Sequence, residues 1–246
     1  MKVEIVLPNS WNELTLKQLK KIASICFNNE TGIVFDNKVF LILLNIKWWQ
    51  ILKKRKAIIV KNNIAFTDLK KEYNWIYSTL NLTKFPNSIK LKKTKLFAPH
   101  DRLTNLNINE FAHLEDLYLG WHNTKNFDYL HYITAILYRE NTNNKRTIFD
   151  KTELQKRSEN LKNIDRKKLL AILLCYQGSR NYLTSQFPLV FHKPEKKKKT
   201  PQKSGFGKII LHLSGKKFGN YKETCNTNVY TFLSEFTEQL KTNPYA

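Results

Sequence analysis

Apolar residues along this chain recur mostly at three- and four-residue spacing, which is the pattern of amphipathic helices. The first such segment spans about 15–27, where Thr15 and Gln18 have the form of a capping box ahead of an apolar face. A second helix is expected to begin at Asp36 and to run to about residue 54. The beginning of the chain is therefore predicted to be largely helical.

Two short stretches have the character of strands instead. Residues 2–7 alternate between polar and apolar until Pro8 interrupts the pattern. Residues 57–60 and 64–66 are apolar and flank a Lys-Asn-Asn sequence, so they predict a β-hairpin. The N-terminal region is accordingly expected to combine helices with a small amount of strand.

The second half of the chain shows one helical pattern after another. These patterns predict a single helical bundle, free of strands, from about residue 106 to residue 190. The helices are expected over about 109–121, 126–139, 151–161, 165–179 and 180–187. Together with the short N-terminal strand and the hairpin, the bundle gives a mainly α (α+β) fold class.

A lysine-rich run follows the predicted bundle. Residues 193–203 contain six lysines and two prolines and no apolar residue. Such a run repels itself and buries nothing, so we predict a solvated linker that is mobile and dispensable for folding. The predicted domains are an N-terminal α+β region over 1–105, the bundle over 106–192, the linker over 193–204 and a helical segment over 205–246.

The C-terminal segment carries an apolar stripe. Val229, Phe232, Leu233 and Phe236 recur at positions i, i+3, i+4 and i+7 of a predicted helix. An exposed stripe of this kind would aggregate, so we expect it to dock either a partner protein or the body of the chain's own fold. These four residues are the candidate partner-binding site.

The charge of the chain favours an acidic partner. Among 246 residues, 42 Lys and Arg oppose 20 Asp and Glu, which leaves a net charge of +22. Only seven of the 42 are Arg, so much of this charge has the character of codon bias rather than of phosphate recognition. Binding of nucleic acid by phosphate neutralisation is the alternative function. Its candidate residues are Lys53, Lys54, Arg55, Lys56, Lys196, Lys197, Lys198 and Lys199.

Residue patterns that indicate catalysis are weak in this sequence. Three widely spaced cysteines suggest neither a disulfide framework nor a zinc site. His122 and His131 are interpreted as helix-surface histidines, and Asp150 and Glu153 as first-turn charges of a helix. We assign no catalytic residue, no cofactor and no metal ligand, and we predict no hydrolase, transferase or nuclease activity.

Neither export nor membrane insertion is expected. The first eight residues lack the apolar core of a secretory signal. The most apolar stretch, residues 39–52, contains Asn45 and Lys47 and is shorter than the about 20 residues that span a bilayer.

Several short phrases of the sequence are similar to a known type of protein. They are Leu7–Gln18, Leu106–Phe111, Leu130–Arg139, Ile172–Arg180, Phe187–Phe191, Gly205–Ile210 and Lys217–Tyr221. Together they resemble an uncharacterised protein encoded in the tail-gene region of bacteriophages and prophages of Bacteroidetes-like hosts. The C-terminal phrases are similar to the end of small helical tail assembly chaperones.

This resemblance implies a non-enzymatic tail assembly or structural protein. Its partners would be other phage tail proteins, with the major tail protein and the tape-measure protein as candidates. Its place would be the cytoplasm of the bacterial host during assembly, and association with the virion is left open. The alternative is a basic accessory protein with weak, non-specific affinity for nucleic acid, which added salt would abolish.

Overall fold

The computed structural model of the protein describes residues 6–28, 30–46, 49–50, 52, 55, 57–59, 65–91, 94–142, 145–191 and 205–242. The fold is mainly α with a small β part, as the hydrophobic pattern predicted. The chain divides into two compact units. The first comprises residues 1–82 and 165–178, and the second comprises residues 83–164 and 179–246.

The first unit is built from helices. They are α1 (Leu16–Phe27), α2 (Gly32–Leu43), α3 (Phe66–Lys71) and the beginning of α7 (Arg166–Gln186), together with 3₁₀ turns at Trp11–Glu13 and Asn74–Tyr77. The predicted capping box of α1 is confirmed, because the hydroxyl of Thr15 accepts from the amide of Gln18, whose side chain accepts from the amide of Thr15. The side-chain amide of Gln18 also donates to the carbonyl of Leu43 at 2.9 Å and so ties α1 to the end of α2.

The most completely buried part of the first unit comes from α7. Eight consecutive residues, from Leu169 to Tyr176, are buried. A helix that is apolar around its whole circumference must be covered on every side, and α7 satisfies that requirement by passing through the core. The two helices predicted over 165–179 and 180–187 are therefore one continuous helix, which extends to Gln186.

Two expectations for the first unit were wrong. Asp36 is not an N-cap but lies inside α2, buried and paired with Lys70 at 3.3 Å. The helix does not reach residue 54 because Asn45 adopts a left-handed conformation, with φ of 45°, which ends a helix.

The predicted hairpin is also incorrect, since residues 57–59 are helical. Local strand propensity is a weak preference that depends on context, and in this helical stretch Ala57 is buried while Ile58 and Ile59 are exposed. Residues 60–64, and residues 1–5 of the predicted N-terminal strand, lie outside the described residues, and Val6 and Leu7 are not in a strand.

The second unit is arranged around a long helix. Its helices are α4 (Ile108–Thr124), α5 (Asp128–Leu137), α6 (Leu154–Asn160), the end of α7, α8 (Phe206–Leu213), α9 (Tyr221–Asn226) and α10 (Val229–Thr242). Helix α4 contacts α5 on one side and α8, α9 and α10 on others, and α5 contacts α6. The helices predicted at 109–121, 126–139 and 151–161 are present, with ends shifted by a few residues, and the predicted C-terminal helical segment consists of three separate helices.

The second unit contains two short antiparallel hairpins, and the second of them shows that the prediction of a strand-free region over residues 106–190 was wrong. The pair β1 (Ser88–Lys90) and β2 (Lys95–Phe97) precedes α4, and the pair β3 (Asn141–Thr142) and β4 (Lys145–Arg146) follows α5. The two residues between β3 and β4 in the sequence are asparagines, which favour turns, and Arg146 of β4 meets the end of α5. That sequence signal lay within a polar stretch that had no apolar periodicity.

The C-terminal segment belongs to the second unit. Its start is fixed by aromatic contacts, because the rings of Phe191 and Phe206 lie 5.7 Å apart and both lie against Phe111 of α4. The lysine-rich run between these two phenylalanines, residues 192–204, lies outside the described residues. Phe191 and Phe206, which lie on either side of this run in the sequence, are thus neighbours in space.

Candidate functional site

The candidate partner-binding stripe of α10 is covered by the chain itself. Val229, Phe232 and Leu233 have no exposed surface, and Phe236 is buried as well. Phe218 stacks on Phe232 with ring centroids 5.5 Å apart, and the amide of Val229 donates to the carbonyl of Leu106 at 3.0 Å. Of the two occupants that the sequence left open, the structure therefore provides the chain's own fold. Binding of a partner by these four residues would require α10 to leave its unit.

The candidate nucleic-acid residues are described only in part. Arg55 is helical and exposed in the first unit. Lys53, Lys54, Lys56, Lys196, Lys197, Lys198 and Lys199 lie outside the described residues.

Helix α2 presents apolar residues on two opposite faces. One face packs Val39, Phe40 and Leu43 into the first unit. The other face leaves Ile33, Val34 and Leu41 at 71%, 59% and 58% of their full exposure. Isolated exposed apolar residues are common on proteins, but three on one side of a helix whose other side is already packed form a candidate protein-binding surface. We call these three residues the α2 patch.

The pattern of hydrophobic residues contained a signal for the α2 patch that the helical prediction did not use. Eight of the twelve residues of α2 are aliphatic or aromatic, so they cannot all fit on the single face that a surface helix buries. The same unit exposes Leu52 and Ile58 in the adjoining stretch of chain. The signal was thus that α2 contains more apolar residues than one buried face of a helix can hold.

A buried ionic cluster is the most polar site of the second unit. Glu110, in the first turn of α4, accepts from the amide of Asn107 in a capping box. Its carboxylate also accepts from the guanidinium of Arg139 and from that of Arg146, the latter at 3.3 Å. Arg146 donates further to the carbonyls of Ile136 and Leu137 at the end of α5. The cluster therefore joins the start of one helix, the end of the next and the hairpin that follows.

The positive charge of this cluster exceeds its negative charge. Burial, followed by the fields of Arg146 and Arg157, lowers the pKa of Arg139 to about 9. Burial and the field of Arg157 lower the pKa of Arg146 to about 10. Glu110 is the carboxylate that contacts both guanidiniums, and it supplies one negative charge against their two positive charges. The residues of this site are separated by up to 36 positions along the chain, so no local sequence pattern reveals it.

The discounted histidine and carboxylate candidates have local roles. The ring of His122 packs edge-on against Tyr118 at 4.5 Å, and burial, Lys125 and Arg180 lower the pKa of His122. The carboxylate of Asp150 accepts from the amide and hydroxyl of Thr152, and these hydrogen bonds lower the pKa of Asp150. Glu153 pairs with Arg157 one helical turn away, at 2.8 Å. Within the described part of the chain, His, Cys, Asp and Glu form no group of three or more suited to a metal ion.

Two further findings do not concern a single site. Over the residues that the structure describes, no helix is both long enough and apolar enough to cross a bilayer. In comparisons with known proteins, no family model, no curated protein and no solved structure matches this chain.

Proposed function

We propose that this chain is a non-enzymatic bacteriophage tail assembly or structural protein that binds another tail protein through the α2 patch. The resemblance of its sequence phrases to tail-region proteins supports the phage context. The observation that carries the binding site is the exposure of Ile33, Val34 and Leu41 opposite the packed face of α2.

Burial of the α2 patch would supply useful binding energy. Covering one Ile, Val or Leu side chain is worth about 1.5–3 kcal/mol in transfer terms, so three such side chains can anchor a helix of a partner. Lys38 on the same helix pairs with Glu30 at 2.7 Å, and the chain as a whole carries a net charge of +22. An apolar helical segment flanked by acidic residues fits this surface best, and the tape-measure and major tail proteins are the candidate partners.

The test is co-expression of the chain with the tape-measure and major tail proteins of its own genome, followed by co-purification. The variant Ile33→Glu with Leu41→Lys removes the apolar contacts without changing the net charge. It also places each new charge at the end of α2 where the helix dipole favours it. We expect the affinity for the partner to fall by about 100-fold or more, while thermal stability changes little because both positions are exposed.

A matched control makes the same change on the other unit. Leu119→Glu with Leu211→Lys alters two exposed leucines of α4 and α8, at 54% and 66% exposure, and should leave the binding intact. Equal binding by the α2 variant and the wild type would contradict the proposal. Loss of binding at about 0.5 M salt in the wild type, with uptake of DNA at low salt, would favour the nucleic-acid alternative instead.

A further inference from the structure

Three residues that carry unpartnered polar atoms line the same cavity of the second unit. The cavity has a volume of about 370 Å³ and lies between the start of α4, the β4 strand and the turn before α10. Its polar lining includes Glu110, Arg139, Arg146, Thr147, Asn226 and Asn228. Within the described part of the chain, no group accepts from Nε or Nη1 of Arg139 or from Nε of Arg146, and the hydroxyl of Thr147 has no partner.

These unpartnered groups are too deeply buried to be ordinary surface atoms. The side chain of Arg139 is 3% exposed and that of Arg146 is 10% exposed. A buried N–H group without an acceptor carries a desolvation cost, and the cost is larger for a charged group. Most of the hydrogen-bonding capacity of Arg139 is thus unused, in a residue that lines the cavity together with Arg146.

The charge around the cavity has the sign that an anion requires. Two guanidiniums and one carboxylate line the cavity, and Arg157, which lies outside it and pairs with Glu153, adds a positive field at both guanidiniums. Arg139 and Arg146 are two of the seven arginines in a chain whose basic residues are mostly lysine. Arginine is the residue whose planar fork suits oxyanions, and here it is concentrated in one place.

We propose that this cavity binds a phosphate group, either free or as the ester of a small molecule. Its donors come from two guanidiniums and a hydroxyl on different elements, and a tetrahedral oxyanion offers oxygens in enough directions to accept from all of them. The volume leaves room for a small organic group beside the phosphate. The site lies wholly in the second unit, so it is independent of the α2 patch and of the partner proposed for it.

The test is titration calorimetry of the full chain with inorganic phosphate, with glycerol phosphate and with acetate, at constant ionic strength set by chloride. We expect saturable binding of phosphate and a rise in Tm of about 5–10 °C at a concentration 100 times the Kd. A lower Kd for glycerol phosphate than for inorganic phosphate would identify the natural ligand as an ester, and a higher Kd would identify the free ion. An equal response to acetate or to chloride alone would overturn the proposal.

Two variants connect the binding to the cavity. Thr147→Val deletes the unpartnered hydroxyl at nearly constant volume, and Arg146→Lys keeps the charge but loses the fork. We expect each to weaken phosphate binding by about tenfold or more. The control Arg102→Gln removes an arginine of the same unit that lies outside the cavity and should leave the Kd unchanged. If circular dichroism shows that Arg146→Lys does not fold, the test rests on Thr147→Val alone. An unchanged Kd for phosphate in Thr147→Val would refute the site.

Discussion

Gly178 of α7 lies directly against the backbone of Leu82. A Cβ atom at this position would lie 2.7 Å from the backbone nitrogen of Leu82 and closer still to its carbonyl oxygen. Backbone cannot move aside as a flexible side chain can, so Gly178→Ala should lower the free energy of unfolding by about 2–3 kcal/mol. Urea denaturation followed by circular dichroism measures this change.

Gly207 provides the matched control for that substitution. It lies in α8, and a Cβ built there meets no described atom within 4 Å. Gly207→Ala should therefore be neutral, or stabilising by up to about 1 kcal/mol, because alanine has the higher helix propensity. Similar destabilisation by both substitutions would mean that the contact with Leu82 is not the cause.

Cys26 of α1 should react slowly with thiol reagents. Burial penalises the thiolate and raises the pKa of Cys26 to about 11, so only about one thousandth of it is ionised at pH 8. Its rate with Ellman's reagent should rise about tenfold per pH unit up to about pH 11, whereas an ordinary thiol levels off near its pKa of about 8.5. Cys26→Ser identifies the reacting thiol, and a plateau near pH 9 in the wild type would contradict the expectation.

At the scale of secondary-structure elements, two capping boxes of the same form differ in what surrounds them. Glu110 caps α4 and is buried against Arg139 and Arg146, while Glu223 caps α9 through Asn220 at the surface. Glu110→Gln leaves two buried guanidiniums without their counter-charge and should cost about 3–5 kcal/mol. Glu223→Gln should cost no more than about 1 kcal/mol. Equal losses in thermal unfolding would show that Glu110 acts only as a cap.

Elements with local causes were predictable from the sequence. The capping box at Thr15 and the periodic faces of α4, α5 and α10 each depend on residues within a few positions of one another. Asp36 misled the prediction, because an aspartate suits an N-cap and nothing nearby in sequence reveals its distant partner Lys70. The strand propensity of residues 57–59 likewise misled the prediction, since these residues are helical.

The sequence showed which residue types the candidate sites contain, but not which distant residues the fold brings together. The stripe of α10 was predictable as a surface that must be covered, but its cover, which includes Phe218 and α4, was not. The cluster of Glu110, Arg139 and Arg146 depends on the pairing of β3 with β4, which brings Arg146 to the end of α5. Such convergence follows from tertiary contacts, which a single sequence does not display.

At the scale of the whole molecule, the first unit is discontinuous in sequence. It takes its most buried helix, residues 169–176, from beyond the first 164 residues of the chain. The fragment 1–164 should therefore lack a cooperative unfolding transition for this unit and should bind a dye such as ANS through its uncovered core. The full chain is the control, and a sharp native-like transition in the fragment would refute the expectation.

The contact between Phe191 and Phe206 also affects how this protein can change over evolution and in the laboratory. Both phenylalanines pack on Phe111, so the described residues on either side of the lysine-rich run lie close together. The entropy of closing a loop grows only logarithmically with its length, so lengthening the run between them costs little. A fluorescent protein or an affinity domain whose termini lie close together could be inserted between residues 192 and 204 without separating the two rings. Related genes could vary this run freely, and their lengths would differ here before they differ in the helices.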